Sequence, residues 1–137
     1  MSDTLTLTIR SIKGKLLSQN VQYVKCNSVV GDTGIYPNHT PTIVDVQEGV
    51  VEFENEAQKV EAVYISDSIC KISKTEIIFL VDFMFVAADF DKEALEEESK
   101  NSGKAYKESV DYTKKQLALN VKKRADSKLR VLEVATA

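Results

Sequence analysis

The 137-residue chain has no tryptophan, one histidine, two cysteines, two prolines and five glycines. Two thiols, Cys26 and Cys70, are too few to build a disulfide scaffold. The single histidine, His39, rules out a His-His metal site within one chain, and neither cysteine has a neighbour at metal-ligand spacing, so no metal is expected. The glycines are too sparse for a phosphate loop: Gly14-Lys15 lacks both the upstream glycine and the downstream Ser/Thr. No apolar run is long enough to span a bilayer. The longest, Ile77 to Ala88, is broken by Asp82 and falls far short of the roughly 20 residues required. The start, Met1-Ser2-Asp3-Thr4, lacks the charged-then-apolar layout of a secretory signal, so a reducing, cytoplasmic-side location is expected, with any membrane association through a partner. Nor is there an excess of positive charge. With 18 basic and 21 acidic residues and a pI near 5.3, the chain does not have the balance of a nucleic-acid binder, whose affinity comes largely from neutralising phosphates.

What is present is enough for one compact domain, or a small domain with an appendage, and excludes a large multidomain enzyme. Its charge is unevenly distributed. Residues 1–90 carry 7 basic and 12 acidic side chains, residues 91–110 carry 4 and 6, and residues 111–137 carry 7 and 3. A basic final fifth on an otherwise acidic chain marks a candidate electrostatic contact surface, the alternative being a solvated helix face.

The patterning divides the chain in two. Leu5, Leu7 and Ile9 alternate with Thr4, Thr6 and Thr8, and Val21 and Tyr23 alternate likewise, the period of a half-buried strand. Runs rich in β-branched and aromatic residues follow at 43–46, 50–53, 60–65, 69–72 and 77–81, separated by short turns. That spacing is expected of a sandwich or barrel and leaves no room for crossover helices, so the sheet is expected to be mostly antiparallel. From Asp89 the pattern is helical. Asp91 is placed to cap a first helix, Asn101-Ser102-Gly103 to end or weaken it, and Asp111 to cap a second. Leu117, Val121, Ala125, Leu129 and Leu132 form one apolar stripe, with cations over much of the remaining surface. The expected architecture is an all-β N-terminal sandwich over 1–88 and a C-terminal antiparallel α-helical hairpin over 89–137.

Little in the chain suggests catalysis. A Cys-His pair from Cys26 or Cys70 with His39 would need an orienting group and an oxyanion hole, and no local motif supplies them. Glu52 and Glu54 share a strand face and could be read as acid-base partners, but solvated strand surface explains them. The densest motif is Gly31-Asp32-Thr33-Gly34-Ile35-Tyr36-Pro37-Asn38-His39-Thr40-Pro41, expected to be a rigid turn-rich loop with Ile35 and Tyr36 as its apolar centre.

That segment resembles the G-E-x-G-I-L/Y-P-G-H-A/T-P loop of the epsilon subunit of F-type ATP synthases, called delta in mitochondria. The resemblance continues through Tyr64-Ile65-Ser66, through Ile77 to Asp82, and through Asp111-Tyr112 and Leu129-Arg130-Val131-Leu132-Glu133-Val134 at the two ends of the second helix. It implies a sandwich of about ten strands and a non-catalytic rotor role without a cofactor. The implied partners are the gamma shaft, the membrane ring of c subunits and, transiently through the helices, the catalytic alpha/beta head. The implied location is the cytoplasmic face of the bacterial plasma membrane. Asp32, Thr33, Ile35, Tyr36 and His39 would lie in the ring or stalk contact. Lys114, Lys115, Lys122, Lys123, Arg124, Lys128 and Arg130 would form the cationic surface that restrains ATP hydrolysis.

Four departures from the family pattern stand out. Asn38 replaces a loop glycine but tolerates positive φ. Ser66-Asp67-Ser68 replaces Ser-Gly-Gly, implying a different turn or contact. The ATP-binding I/L-D-x-x-R-A motif of some members is degenerate at Asp111 and Lys114, and lysine cannot reproduce a bidentate guanidinium, so weak or absent ATP binding is expected. Phe83, Met84 and Phe85, bulkier than the family usually has there, are expected to be core or an added contact. Lysine outnumbers arginine 15 to 3, a bias that points to an AT-rich genome and a second reading: an epsilon-like subunit of a rotary ATPase adapted to another motor task, such as gliding in a wall-less bacterium. The rival from a different class is a free-standing sandwich enzyme.

Overall fold

A computed structural model describes residues 4–28 and 31–136; Met1 to Asp3, part of the N-terminal segment read above, lie outside it. Among the described residues, nine strands precede a short 3-10 turn and two α-helices: β1 Leu5–Ser11, β2 Gly14–Ser28, β3 Gly31–Ile35, β4 Thr42–Val46, β5 Gly49–Asn55, β6 Val60–Ile65, β7 Ser68–Ile72, β8 Glu76–Leu80, β9 Met84–Phe85, α1 Lys92–Glu108 and α2 Tyr112–Thr136. The strand runs read from the sequence are all present, against an expectation of about ten. The stretches not anticipated are β3, read as loop, the two-residue β9, and the first half of β2, whose mixed residues Gly14 to Gln19 carry no clean alternation. The pairing of that half comes instead from β1, which folds back on it through the register Leu5↔Val21 to Ser11↔Gly14.

The strand order is β1-β8-β7-β4-β2-β5-β6-β9, with β3 on β2 and β1 closing on β2 as well. Every pairing is antiparallel except β1 with β8, which run parallel. This rolled sheet folds its inner faces onto one core. Leu5, Leu7 and Ile9 from β1, Val51 and Phe53 from β5, Val63 and Ile65 from β6, and Ile77 and Phe79 from β8 meet there with Cys26 and Cys70. Alternate residues of each strand point inward, so the period-2 pattern becomes a shared apolar layer.

The turns are held by side chains. Ser66 Oγ accepts hydrogen bonds from the backbone N–H of Asp82 (2.8 Å) and Phe83 (3.4 Å), and Asp67 Oδ1 accepts from the N–H of Glu48 (2.6 Å). The Ser66-Asp67-Ser68 segment therefore ties the β6–β7 turn to both the exit from β8 and the entry to β5.

Both helix caps fall where the sequence places them. Asp91 Oδ1 accepts from the N–H of Glu93 and Ala94, and Asp111 Oδ1 from those of Thr113 and Lys114. Asn101-Ser102-Gly103 does not interrupt α1, however. Ser102 is buried, and a Cβ on Gly103 would meet Lys122 Cε at 3.3 Å. Ser102 is buried and Gly103 leaves room for the Lys122 side chain of α2, so tertiary packing overrides their weak helix propensity. The single stripe expected on α2 is also revised. Ala125, Val131 and Val134 are the buried residues of α2, whereas Leu117 is exposed. A helix lying between α1 and a sheet needs two buried faces, and only its C-terminal half overlies the sheet.

Ser66→Ala should lower unfolding free energy by about 1–2 kcal/mol, because the N–H groups of Asp82 and Phe83 lose their acceptor. Urea denaturation followed by circular dichroism would measure this, with the slope of the transition unchanged.

Candidate functional site

The helical hairpin rests on the outward face of β5 and β6, and α2 makes the contact. Outward residues of β5 alternate as Val50, Glu52 and Glu54, so the strand offers carboxylates on the face that α2 covers. Arg130 Nε donates to Glu52 Oε1 at 2.7 Å, and Arg124 Nε lies 3.3 Å from Glu48 Oε2. The Tyr64 hydroxyl donates to the same Glu48 carboxylate, and Lys128 Nζ stands 5.4 Å above the Tyr64 ring. Burial first, then the hydrogen bond to Glu48, raises the Tyr64 pKa well above the ordinary phenol value. The hydrogen bond to Glu52 raises that of Arg130. Glu52 is thus an ion-pair partner rather than plain solvated strand surface.

The seven cations of the basic segment accordingly divide by position. Arg124, Lys128 and Arg130 are engaged with the sandwich. Lys122 pairs with Asp126 at 2.7 Å, and Asp126 also accepts from the Ser99 hydroxyl across the α1–α2 seam. Burial raises the Asp126 pKa, but the Lys122 and Ser99 hydrogen bonds outweigh it and hold the carboxyl below its ordinary value. Lys115 Nζ lies 5.4 Å over the Tyr106 ring. Lys114 and Lys123 are exposed. Asp111, the acid of the degenerate nucleotide motif, spends its Oδ1 on the α2 cap, and Lys114 follows it in the first turn of that helix.

The glycine-rich segment is only half a loop. Gly31 to Ile35 form β3, in register with Ser28 to Val24 of β2, and residues 36–41 alone make the loop. Gly31 sits at φ +115 and Asn38 at φ 68, so asparagine does sustain the left-handed turn. Ile35 is 1% exposed and belongs to the core, because β3 turns it inward opposite Val24. Asp32 and Gly34 face outward. Gly34 lacks a Cβ that would stand 3.3 Å from the Tyr36 ring, which lets that ring lie back toward Tyr23, 5.9 Å away between centroids. The Thr33 hydroxyl hydrogen-bonds with Ser28 Oγ at 3.0 Å. His39 Nδ1–H donates to the Thr40 carbonyl at 2.7 Å, and the N–H of Asn38 donates to the Lys74 carbonyl at 2.8 Å. A groove of about 630 Å³ separates this edge from α2, with Lys25, Asn27, Asp32, Tyr36, Glu52 and Ser127 among its walls.

The bulky segment after β8 becomes a junction. Phe83, Phe85 and Phe90 cluster with Tyr64, at centroid separations of 5.1 to 6.4 Å, while Met84 packs against the core. Sequence reasoning had no signal for Tyr64 as the centre of this cluster, since its neighbours come from three separate segments. Burial pushes the Cys26 thiol up to about 11 and the Cys70 thiol up to about 12, which makes both poor nucleophiles at neutral pH. Among the described residues no group of acidic, cysteine or histidine side chains could hold a metal.

The family model for the beta-sandwich domain of the ATP synthase delta/epsilon chain matches residues 4–87. The chain belongs to that family. Delta/epsilon chains are non-catalytic accessory subunits of the central stalk, consistent with a site built of ion pairs and aromatic contacts. Solved structures that share the fold include two mitochondrial ATP synthase chains. One is a chain of the Euglena gracilis mitochondrial ATP synthase, in an OSCP/F1/c-ring structure, with a TM-score of 0.75 at 17% identity over 100% of this chain and 84% of that one. The other is a chain of the central stalk/c-ring structure of the Tetrahymena thermophila mitochondrial ATP synthase, with a TM-score of 0.51 at 14% identity over 97% and 96%. No helix of the described delta/epsilon chain is long and apolar enough to cross a membrane.

A double-mutant cycle of Arg130→Ala with Glu52→Ala should return a coupling below about 1 kcal/mol, lost in 1 M salt. The side chains are 53% and 20% exposed, and solvent screens such a pair.

Proposed function

We propose that this chain is the rotor subunit that fastens the gamma shaft to the membrane ring and so couples ATP synthesis or hydrolysis in the head to rotation. The observation that carries this reading, beyond family membership, is the asymmetry of the sandwich. One outward sheet face is covered by the chain's own hairpin. On the opposite face Ile43, Ile69 and Leu80 are all at least half exposed, with Ile69 directly across from Leu80 and Ile43 one strand away. Asp45 and Lys71 share that face, opposite Ile69 and Ile43, and exposed apolar side chains interspersed with charge suit a protein contact, the role assigned here to gamma.

The β3 edge, with Asp32, Thr33, Tyr36 and His39, is the proposed ring-facing element, and buried Ile35 positions it. The sandwich, 1–88, is the proposed coupling unit and the hairpin, 89–137, the regulatory one, reaching the alpha/beta head when it leaves the sheet. Arg124 and Arg130 then exchange sandwich carboxylates, and Lys128 the Tyr64 ring, for carboxylates of the head. The proposed location is the head-bearing face of the membrane: the cytoplasmic face in a bacterium, or the matrix face in mitochondria, the source of both structural relatives.

Ile69→Glu with Leu80→Glu should abolish co-purification with gamma while leaving the circular dichroism spectrum intact, since both side chains already meet solvent. Retained gamma binding would overturn this assignment of the stripe. In the assembled complex, deleting residues 91–137 should raise ATP hydrolysis; an unchanged rate removes the inhibitory role and leaves the coupling role standing.

A further inference from the structure

The aromatic junction at the root of the hairpin has an outer side that the fold leaves in water. β9 is the last strand of the sheet and, among the described residues, pairs with β6 alone. Its two residues point to opposite faces: Met84 packs against the core, while Phe85 stands on the outward face with Tyr64, its partner in the register. Joining the helical segment to the sandwich needs Phe83 and Phe90, whose rings lie against Tyr64. Phe85 is added to these two, 5.1 Å from Phe83 and 5.8 Å from Phe90, and it remains 37% exposed next to Val86 at 38%. Native edge strands are commonly blunted by lysine, proline or a bulge. This one ends in an aromatic and a branched aliphatic side chain, and its neighbours are carboxylates. Asp82 precedes β9 and is exposed, and Asp89, also exposed, turns back to accept the Val86 N–H at 2.8 Å.

We infer that this β9 edge is a protein-docking surface separate from the one assigned to gamma, and that its occupant is a segment of another subunit rich in lysine or arginine and carrying apolar side chains of its own. The chemistry follows from charge complementarity: an apolar centre of Phe85 and Val86 flanked by the carboxylates of Asp82 and Asp89 selects cations at the rim of an apolar contact. The same cluster shows that preference within the chain, because the Tyr64 ring receives Lys128 Nζ at 5.4 Å while its hydroxyl holds the Glu48 carboxylate. Anionic lipid and nucleic acid are the poorer fits, since the rim would meet them with like charge. The two surfaces are distinct in position. Phe85 shares the sheet face that the hairpin covers, and Ile43, Ile69 and Leu80 lie on the opposite one. The inference goes beyond the rotor reading and rests on it only for the assembly in which the partner is sought.

The buried native thiols permit a site-specific test. Val86→Cys in the full chain places one accessible thiol at this edge for a benzophenone-maleimide, since Cys26 and Cys70 are shielded and weakly ionised. After assembly into the complex and irradiation, the adduct should map to a different subunit, in a peptide where Lys and Arg outnumber Asp and Glu. In the same background, Asp82→Lys with Asp89→Asn changes the rim charge while leaving an amide oxygen to accept the N–H of residue 86. It should cut the yield about tenfold, as expected for losing two charge contacts at a partly desolvated interface. The proposal is overturned by an absent adduct, by one confined to this chain or a second copy of it, by one on a peptide without basic excess, or by a yield that the rim variant does not move. Gamma co-purification, scored on the same preparation, separates the two failures. Gamma retained without such an adduct defeats this inference alone, and gamma lost defeats the rotor reading and this inference with it.

Discussion

Strand β2 carries the fold because a single 15-residue strand is made to hydrogen-bond with β1 along its first half and with β5 and β3 along its second. A strand of that length cannot remain in one flat layer with partners on opposite faces of a core. It bends, and the sheet rolls over on itself. The inner faces then bury one continuous cluster, and the outer faces acquire different fates. Disrupting β2 would detach β3 and the ring-facing edge from the layer that receives the helices, so the position of every proposed contact depends on it.

The second constraint is how weakly the hairpin is held. The residues α2 buries are small or medium in size, and its polar contacts with the sandwich are partly exposed ion pairs and one cation–π contact. Each such pair adds little in water. Specificity comes instead from their arrangement, since Glu48 is shared by Arg124 and Tyr64, while Lys128 stands over the same ring. The aromatic cluster of Tyr64, Phe83, Phe85 and Phe90 anchors the start of the helical segment and shares Tyr64 with these pairs. A hairpin tethered firmly at its root and lightly along its length suits a subunit whose helices change partners.

The strands, both helix caps, the antiparallel character and the family resemblance were legible because each rests on local periodicity or a contiguous motif. Asp91 and Asp111 cap because a carboxylate two or three residues ahead of free N–H groups needs nothing from elsewhere in the chain. The loop motif was legible as a motif but misjudged as a conformation. Gly31 to Ile35 look turn-like by composition, yet β2 offers an unpaired edge there and recruits them as a strand, taking Ile35 into the core. Asn101-Ser102-Gly103 was misjudged for a related reason: Ser102 is buried and Gly103 packs against the Lys122 side chain, so contacts with α2 keep these poor helix formers in α1.

The sequence alone determined the two-part architecture and the segregation of basic charge into the last helix. These are properties of composition and short-range pattern, which no later packing can alter. Tertiary structure decided which of those charges are spent and which are available, because that depends on where a helix crosses a sheet rather than on its own residues. Glu48 and Glu52 lie about 80 residues from the arginines they meet, a separation over which periodicity carries no information.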